Sequence, residues 1–275
     1  MSDKLSHYLS DWQLTSPHLI ARTPTSHVYA VNQAGVTVVL KVLTPIGIAD
    51  ETGGAAALVH FNGRGAVRLL RHDAGAHLLE YAPGDDLVPM VAAGDDDQAT
   101  RTLAQVLNAL HQVDNPPPVG LTSLRRRFAS LFKRAAEDEQ AGRDSLMVRA
   151  AAIAEGLLAQ PHAICVLHGD MHHANVRHKP GRGWLAIDPK GLEGERTFDA
   201  ANIFCNPDMP DFILNEARLL RRVAILSAEL GIEAERILAY TYAYAALSAC
   251  WSLEDGDDPA IALGIARLIE PHIIR

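Results

Sequence analysis

Apolar and β-branched positions dominate residues 27–43 on either side of Asn32-Gln33-Ala34-Gly35, a pattern that predicts two antiparallel strands joined by a tight turn. A second strand pair is expected at 66–70 and 77–81, with a helix over about 51–61 lying between the two pairs. Ala82-Pro83-Gly84-Asp85-Asp86 then breaks the pattern, and the period becomes helical. Leu103, Val106, Leu107 and Leu110 share one face, as do Leu124, Phe128, Leu131 and Phe132. Pro116-Pro117-Pro118 separates two helices, 214–230 closes on Gly231, and two more helices are expected over about 234–252 and 258–270. Within this helical half, 163–167 and 184–187 are short apolar runs flanked by polar loops. The pattern reads as an α+β chain of two lobes: a small antiparallel-sheet lobe with one main helix (1–80), a hinge (81–86) and a larger helical lobe (87–275).

Composition narrows the function classes. Of 275 residues, 25 are Lys or Arg and 33 are Asp or Glu, so the net charge of −8 disfavours nucleic acid and anionic membrane surfaces as partners. Cys165, Cys205 and Cys250 stand apart in apolar settings, which predicts reduced, unpaired thiols. With no apolar run of membrane-spanning length and no leader-like segment at Met1, a cytoplasmic protein, acting as a monomer, is expected.

The polar loops carry the candidate chemistry. After the first apolar run comes Leu167-His168-Gly169-Asp170-Met171-His172-His173-Ala174-Asn175, and the second run ends Ala186-Ile187-Asp188-Pro189-Lys190. Phosphoryl transfer needs a carboxylate to take the proton of the attacking hydroxyl and oxygen ligands to hold Mg²⁺ on the phosphates; Asp170, Asn175 and Asp188 supply both. Their order matches that of protein kinases. Lys41, inside the apolar run Val38-Val39-Leu40-Lys41-Val42, is costly to bury unless paired or bound to phosphate. Glu51 is the first well-placed partner for it, with Asp50 as competitor.

These residues resemble the aminoglycoside phosphotransferases, and most closely their aminoglycoside/hydroxyurea resistance kinase branch, typified by streptomycin 6-phosphotransferase. The resemblance runs through Gly63-Arg64-Gly65-Ala66-Val67-Arg68-Leu69-Leu70, Leu78-Leu79-Glu80-Tyr81, the 167–175 loop and Gly183 to Leu192. It implies a protein-kinase-like fold and an ATP-dependent, Mg²⁺-dependent kinase, with GTP as the alternative donor. The acceptor it implies is a hydroxyl of an aminocyclitol such as streptomycin, or else hydroxyurea or another small hydroxylated metabolite. By the same resemblance Asp170 is the catalytic base, Asn175 and Asp188 are the metal ligands, Lys41 contacts the α/β-phosphates and Glu51 is its helix partner. Glu80, Tyr81 and Ala82 match the hinge that meets the base through backbone groups, and Asp199 matches an aspartate that braces the catalytic loop. Gly169 replaces the loop arginine of protein kinases, and Thr23-Pro24-Thr25-Ser26-His27 replaces their glycine-rich phosphate loop, leaving Ser26 as the nucleotide contact there.

A cationic acceptor calls for carboxylates. Glu193 and Glu195 are one candidate group, and Glu254, Asp255, Asp257 and Asp258 are another, with a solvated loop and an N-cap at Asp257 or Asp258 as the plain alternative for the second. His172 and Trp251 are further candidates for the cleft, whereas His168 is expected to anchor the loop. Tyr240, Tyr242 and Tyr244 fit helix packing better than a ligand box. His168, His172, His173 and His178 also raise a zinc-dependent hydrolase, but that reading leaves Lys41 and Asn175 without a role.

Overall fold

The computed structural model describes residues 3–50, 52–113 and 115–273. Helix α1 (Asp3–Asp11) leads into β1 (Thr15–Arg22), β2 (Ser26–Gln33) and β3 (Val36–Leu43); α2 (Pro45–Asp50) and α3 (Thr52–Phe61) follow, then β4 (Leu69–His72) and β5 (Ala76–Glu80). The five strands form one antiparallel sheet in the order β1-β2-β3-β5-β4. The β2–β3 hairpin turns at Ala34 and Gly35, both at positive φ, and its register sets Lys41 between Val28 on β2 and His77 on β5. Leu5 and Tyr8 of α1, with Trp12 just beyond it, close a small core against Val31, Val38, Leu40, Val42 and Leu78.

Beyond the sheet lie α4 (Val88–Ala92), α5 (Asp96–His111), β6 (Thr122–Ser123), α6 (Leu124–Arg127), α7 (Ala129–Gln140) and α8 (Leu146–Ala159). Strand β7 (Ile164–Leu167), the hairpin of β8 (Val176–Lys179) and β9 (Gly183–Ala186), and β10 (Leu192–Glu195) carry the polar loops. The chain continues through α9 (Phe198–Ala201), α10 (Pro210–Ile213), α11 (Glu216–Leu230), α12 (Ala234–Asp255) and α13 (Ala260–Ile273). Leu103, Val106, Leu107 and Leu110 of α5 are all buried, as are Leu124, Phe128 and Leu131, while Phe132 is half-buried. Helix α11 stops at Gly231, which takes the left-handed conformation. Tyr240, Tyr242 and Tyr244 are buried along α12, so they pack the core.

Three elements differ from what the hydrophobic pattern alone predicts. Strand β4 begins at Leu69, three residues late, because the preceding backbone pairs with the other lobe: Val67 donates to the Ala186 carbonyl at 3.0 Å and Ala186 to that of Gly65 at 2.7 Å. The expected main helix is preceded by α2, and the fifth strand that the family resemblance implies is β1, whose exposed, Pro17-containing sequence lacks the alternation that would reveal it and is tolerated only at a sheet edge.

The hinge is stitched to the β8–β9 hairpin. Arg177 donates to the Ala82 carbonyl at 3.4 Å and the Gly84 carbonyl at 2.7 Å, and Lys179 donates to the Tyr81 carbonyl at 2.6 Å. Arg182 pairs with the Glu80 carboxylate. The three cysteines are unpaired, and among the described residues no helix is long and apolar enough to cross a membrane.

Candidate active site

The two polar loops are laced together by main-chain bonds. Ile187 donates to the Asn175 carbonyl at 2.9 Å and Lys190 to that of His168 at 2.7 Å. His168, wholly buried, adds a side-chain tie: Nε2 donates to the Ile187 carbonyl at 2.9 Å while Nδ1 accepts from the Asp170 N–H at 3.2 Å. Both bonds suit one neutral tautomer, and burial holds the imidazole pKa below its usual range.

Asp199 supports this loop from within. Its carboxylate accepts from the N–H groups of His168 at 2.8 Å and Gly169 at 2.7 Å, and bonds His111 Nε2 at 2.9 Å. Gly169 is at φ +81°, and a Cβ there would lie 2.7 Å from Leu192, so the protein-kinase arginine has no room at this position. The turn aims Asp170 outward, where two amides hold it. Asn175 Nδ2 donates to its carbonyl at 2.9 Å and lies 3.4 Å from Oδ2, and Asn202 Nδ2 donates to Oδ1 at 2.8 Å. Asn206 in turn donates to Asn202 Oδ1 at 2.9 Å. Asn202 and Asn206 belong to no motif quoted above; amides recurring just after Asp199, amid buried apolar residues, are the sequence signal that marks them.

Asp188 is the second acidic centre. It sits at φ +59°, a left-handed conformation that Asp tolerates better than most residues. Lys41 pairs with Oδ1 and Lys190 donates to Oδ2 at 3.3 Å. Burial pushes the Asp188 carboxyl up, but the charges and hydrogen bonds of Lys41 and Lys190 outweigh it and hold the pKa at about 2. Glu51, the expected partner of Lys41, lies outside the described residues; among the described residues Lys41 pairs with Asp188.

Lys41, Asp188 and Asn175 line one cavity of roughly 330 Å³ together with Ser26, Glu80, Tyr81 and Ala82; Ile20, Val28, Val39 and Leu79 provide apolar walls. Its far end is the turn that stands where kinases have glycines. Thr23 Oγ1 accepts from the Ser26 N–H at 3.0 Å and meets the Ser26 hydroxyl at 3.1 Å. Thr44 pins the same turn through the Pro24 carbonyl at 2.7 Å. The Glu80 carboxylate is turned to Arg182 and the Arg68 N–H, 3.1 Å away, so this residue can face a base only through its backbone.

The acceptor candidates scatter. His172 Nε2 is 4.0 Å from Asp170 Oδ2, and burial holds its imidazole pKa down despite that carboxylate. Trp251 packs edge-on to Tyr244 and carries the Arg127 guanidinium 4.2 Å from its ring centre. Glu193 is exposed on β10. Glu195 is buried, bound by Arg236, Tyr240, Thr197 and the His162 N–H, and offers nothing to a ligand. Glu254 is in the last turn of α12, where it accepts from Ser130 at 2.9 Å. Asp258 bonds the Ala260 N–H at 2.9 Å, a helix cap. The histidines do not converge, since His173 points into the core at Arg222, and no three-residue metal cluster of His, Cys, Asp or Glu exists among the described residues.

A five-stranded lobe over a helical lobe, with an acid–amide–acid set facing a strand lysine, defines a phosphotransferase of protein-kinase-like fold. Solved structures agree on the fold: aminoglycoside phosphotransferase APH(4)-Ia, in a ternary complex with AMP-PNP and hygromycin B, superposes with a TM-score of 0.67 at 17% identity over 100% of both chains. Choline kinase LicA from Streptococcus pneumoniae gives 0.64 at 14% identity over 97% of this chain and 95% of that one. The family described as aminoglycoside/hydroxyurea antibiotic resistance kinase matches residues 11–256, and the chain belongs to it. Streptomycin 3''-kinase of Klebsiella pneumoniae is 41% identical over 250 residues, covering 89% of this chain and 91% of that protein. Streptomycin 6-kinase of Streptomyces glaucescens is 32% identical over 277 residues (96% and 87%). Hydroxyurea phosphotransferase of Kitasatospora aureofaciens is 30% identical over 262 residues (92% and 74%).

Proposed function

We propose that the chain transfers the γ-phosphoryl group of ATP to a hydroxyl of streptomycin, with Mg²⁺. The observation that carries this reading is the pair of carboxylates on laced loops: Asp170, steadied by two amides, and Asp188, ionised between two lysines. Asp170 accepts the proton of the acceptor hydroxyl as its oxygen attacks phosphorus. Lys41 leaves Asp188 Oδ1 for the α/β-phosphates. Ser26 and Thr23 hydroxyls face the phosphates from the turn above, and Tyr81 and Ala82 face the base.

The donor set fits Mg²⁺. With Nδ2 of Asn175 turned to Asp170, its Oδ1 and the Asp188 carboxylate are hard oxygen donors of the kind this ion takes alongside phosphates and water. When bound, Mg²⁺ supplies charge neutralisation across the β- and γ-phosphates. His172, Glu193, Trp251 and Glu254 are the acceptor contacts we propose.

The higher identity to a 3''-kinase than to a 6-kinase favours the 3''-hydroxyl over the 6-hydroxyl. Every group named lies in one chain, in keeping with a monomer, and the unpaired cysteines suit a reducing cytoplasm. The test is to incubate purified protein with ATP, Mg²⁺ and streptomycin or hydroxyurea, and to locate the phosphate in the product by ³¹P and proton NMR. Phosphorylation of streptomycin at a ring hydroxyl is expected; turnover of hydroxyurea alone overturns the acceptor, and turnover of neither overturns the reading.

A further inference from the structure

The charge that develops on the transferred phosphoryl group needs a cation beside it, and the catalytic loop contains none. From Asp170 to Asn175 it reads Asp-Met-His-His-Ala-Asn, and Gly169 leaves no space for an arginine. His173 is turned into the core, 3.1 Å from an Arg222 nitrogen, and His172 lies beside Asp170, its Nε2 4.0 Å from Oδ2. Arg177 and Lys179, the cations nearest the base end of the cleft, direct their donors to the carbonyls of Tyr81, Ala82 and Gly84.

One lysine stands between the two acidic centres. Lys190 donates to Asp188 Oδ2 at 3.3 Å, on the opposite oxygen from Lys41. Its Cβ is 3.4 Å from the point a Cβ on Gly169 would occupy, next to Asp170. Its backbone is fixed on both sides, by the bond to the His168 carbonyl and by close packing of Gly191 on Gly53. The ammonium therefore swings on a short tether anchored in the loops that hold both carboxylates.

We propose that Lys190 is a catalytic residue: when metal and nucleotide occupy Asp188, its ammonium moves from Oδ2 to the γ-phosphoryl oxygens and stabilises them during transfer. This rests on the kinase reading of the site. In the step it assists, the acceptor oxygen bonds to the γ-phosphorus, its proton passes to Asp170, and the bond from phosphorus to the β,γ-bridging oxygen breaks. The electron pair of that bond stays on ADP. Lys190 exchanges no proton; it carries positive charge to where the equatorial oxygens gather negative charge.

The test separates γ-phosphate contact from mere support of the fold. Mg²⁺-dependent binding of AMP-PNP and of ADP is measured by calorimetry for the wild type, Lys190→Met and Lys190→Arg, together with kcat. Lys190→Met is expected to weaken AMP-PNP about tenfold or more, as loss of a charge-assisted hydrogen bond does, with ADP binding unchanged or tighter because a competitor for Asp188 is gone. Its kcat should fall about 10²-fold or more, and Lys190→Arg should recover part of both. Equal weakening of the two nucleotides, or a kcat within about threefold of wild type, overturns the role of Lys190 alone. A wild-type protein that binds neither nucleotide overturns the kinase reading and this assignment with it.

Discussion

Asn202 donates its side-chain amide to Asp170 Oδ1 at 2.8 Å, and Asn206 orients that amide by donating to Asn202 Oδ1 at 2.9 Å. A carboxylate held this way presents its remaining lone pairs in one direction, which is what a base facing an acceptor hydroxyl needs. Asp170→Asn should lower kcat by about 10²-fold or more with nucleotide affinity nearly unchanged. Asn202→Ala should lower kcat about tenfold, each KM staying within about twofold, the signature of misaimed chemistry. In an Asp170→Asn background it should cost nothing further; a steady-state double-mutant cycle reads this, and additive losses would assign Asn202 to the fold instead.

Asp188 pairs with Lys41 through one oxygen and with Lys190 through the other, and the proposed function makes it a metal ligand. Asp188→Ala should abolish the part of ADP binding that depends on Mg²⁺. In EDTA the variant should bind ADP as well as the wild type or better, because Lys41 no longer has to leave the Asp188 carboxylate. Titration calorimetry with and without Mg²⁺ reads both arms, and an undiminished Mg²⁺ effect would remove Asp188 from the metal site.

Asp199 is almost wholly buried and serves two main-chain donors and His111. Asp199→Ala leaves these donors unsatisfied at about 1–3 kcal/mol each, so a large fall in unfolding free energy and in Tm is expected by denaturant and thermal melts. Asp199→Asn, which keeps an acceptor oxygen, should lose distinctly less. Equal stability of the two variants and the wild type would contradict the bracing role.

His77 sits on β5 beside Lys41, and burial, then the Lys41 charge, pushes its pKa down to about 4. The unfolded chain, with a histidine near 6.5, therefore binds a proton that the folded chain refuses between about pH 6.5 and 4. Stability must rise with pH across that window and fall on acidification, by up to about 1.4 kcal/mol per pH unit for each such group. His168, His172 and His173 shift the same way. Melts from pH 7 to 4 should show a steep loss, and His77→Gln should flatten it; an unchanged slope would mean His77 does not titrate in this range.

Local pattern carried much of this far. The β2–β3 hairpin, the apolar stripes of α5 and the stop at Gly231 are recorded in neighbouring residues, and they stand where period and turn chemistry put them. Helix α8, rich in alanine, has little contrast between faces and was not distinguishable from its surroundings. The start of β4 was misread because Gly65 to Val67 pair with Ala186 across the lobes, a contact no local window contains. At the site, Asp170, Asn175, Asp188 and Lys41 come together, all but Lys41 being close in sequence. His111 carries no local signature, since only the fold sets it opposite Asp199, and Asn202 has just the weak one of an amide after the Asp199 motif. Glu195 is a candidate carboxylate by its place near Glu193 in sequence, yet Arg236, Tyr240 and Thr197, distant or local in the chain, enclose it, so it is buried although Glu193 on the same strand is exposed.

Gly53 opens α3 and Gly191 follows the Asp188 segment, and a Cβ on Gly191 would lie 1.9 Å from the Gly53 carbonyl oxygen. Two backbones in direct contact leave the helix a single seat, with no layer of side chains to slide on. Any larger residue at Gly191 would wedge helix and loop apart. The seam therefore ties the pose of α3 to that of the segment bearing Asp188, and a shift of either backbone is carried to the other.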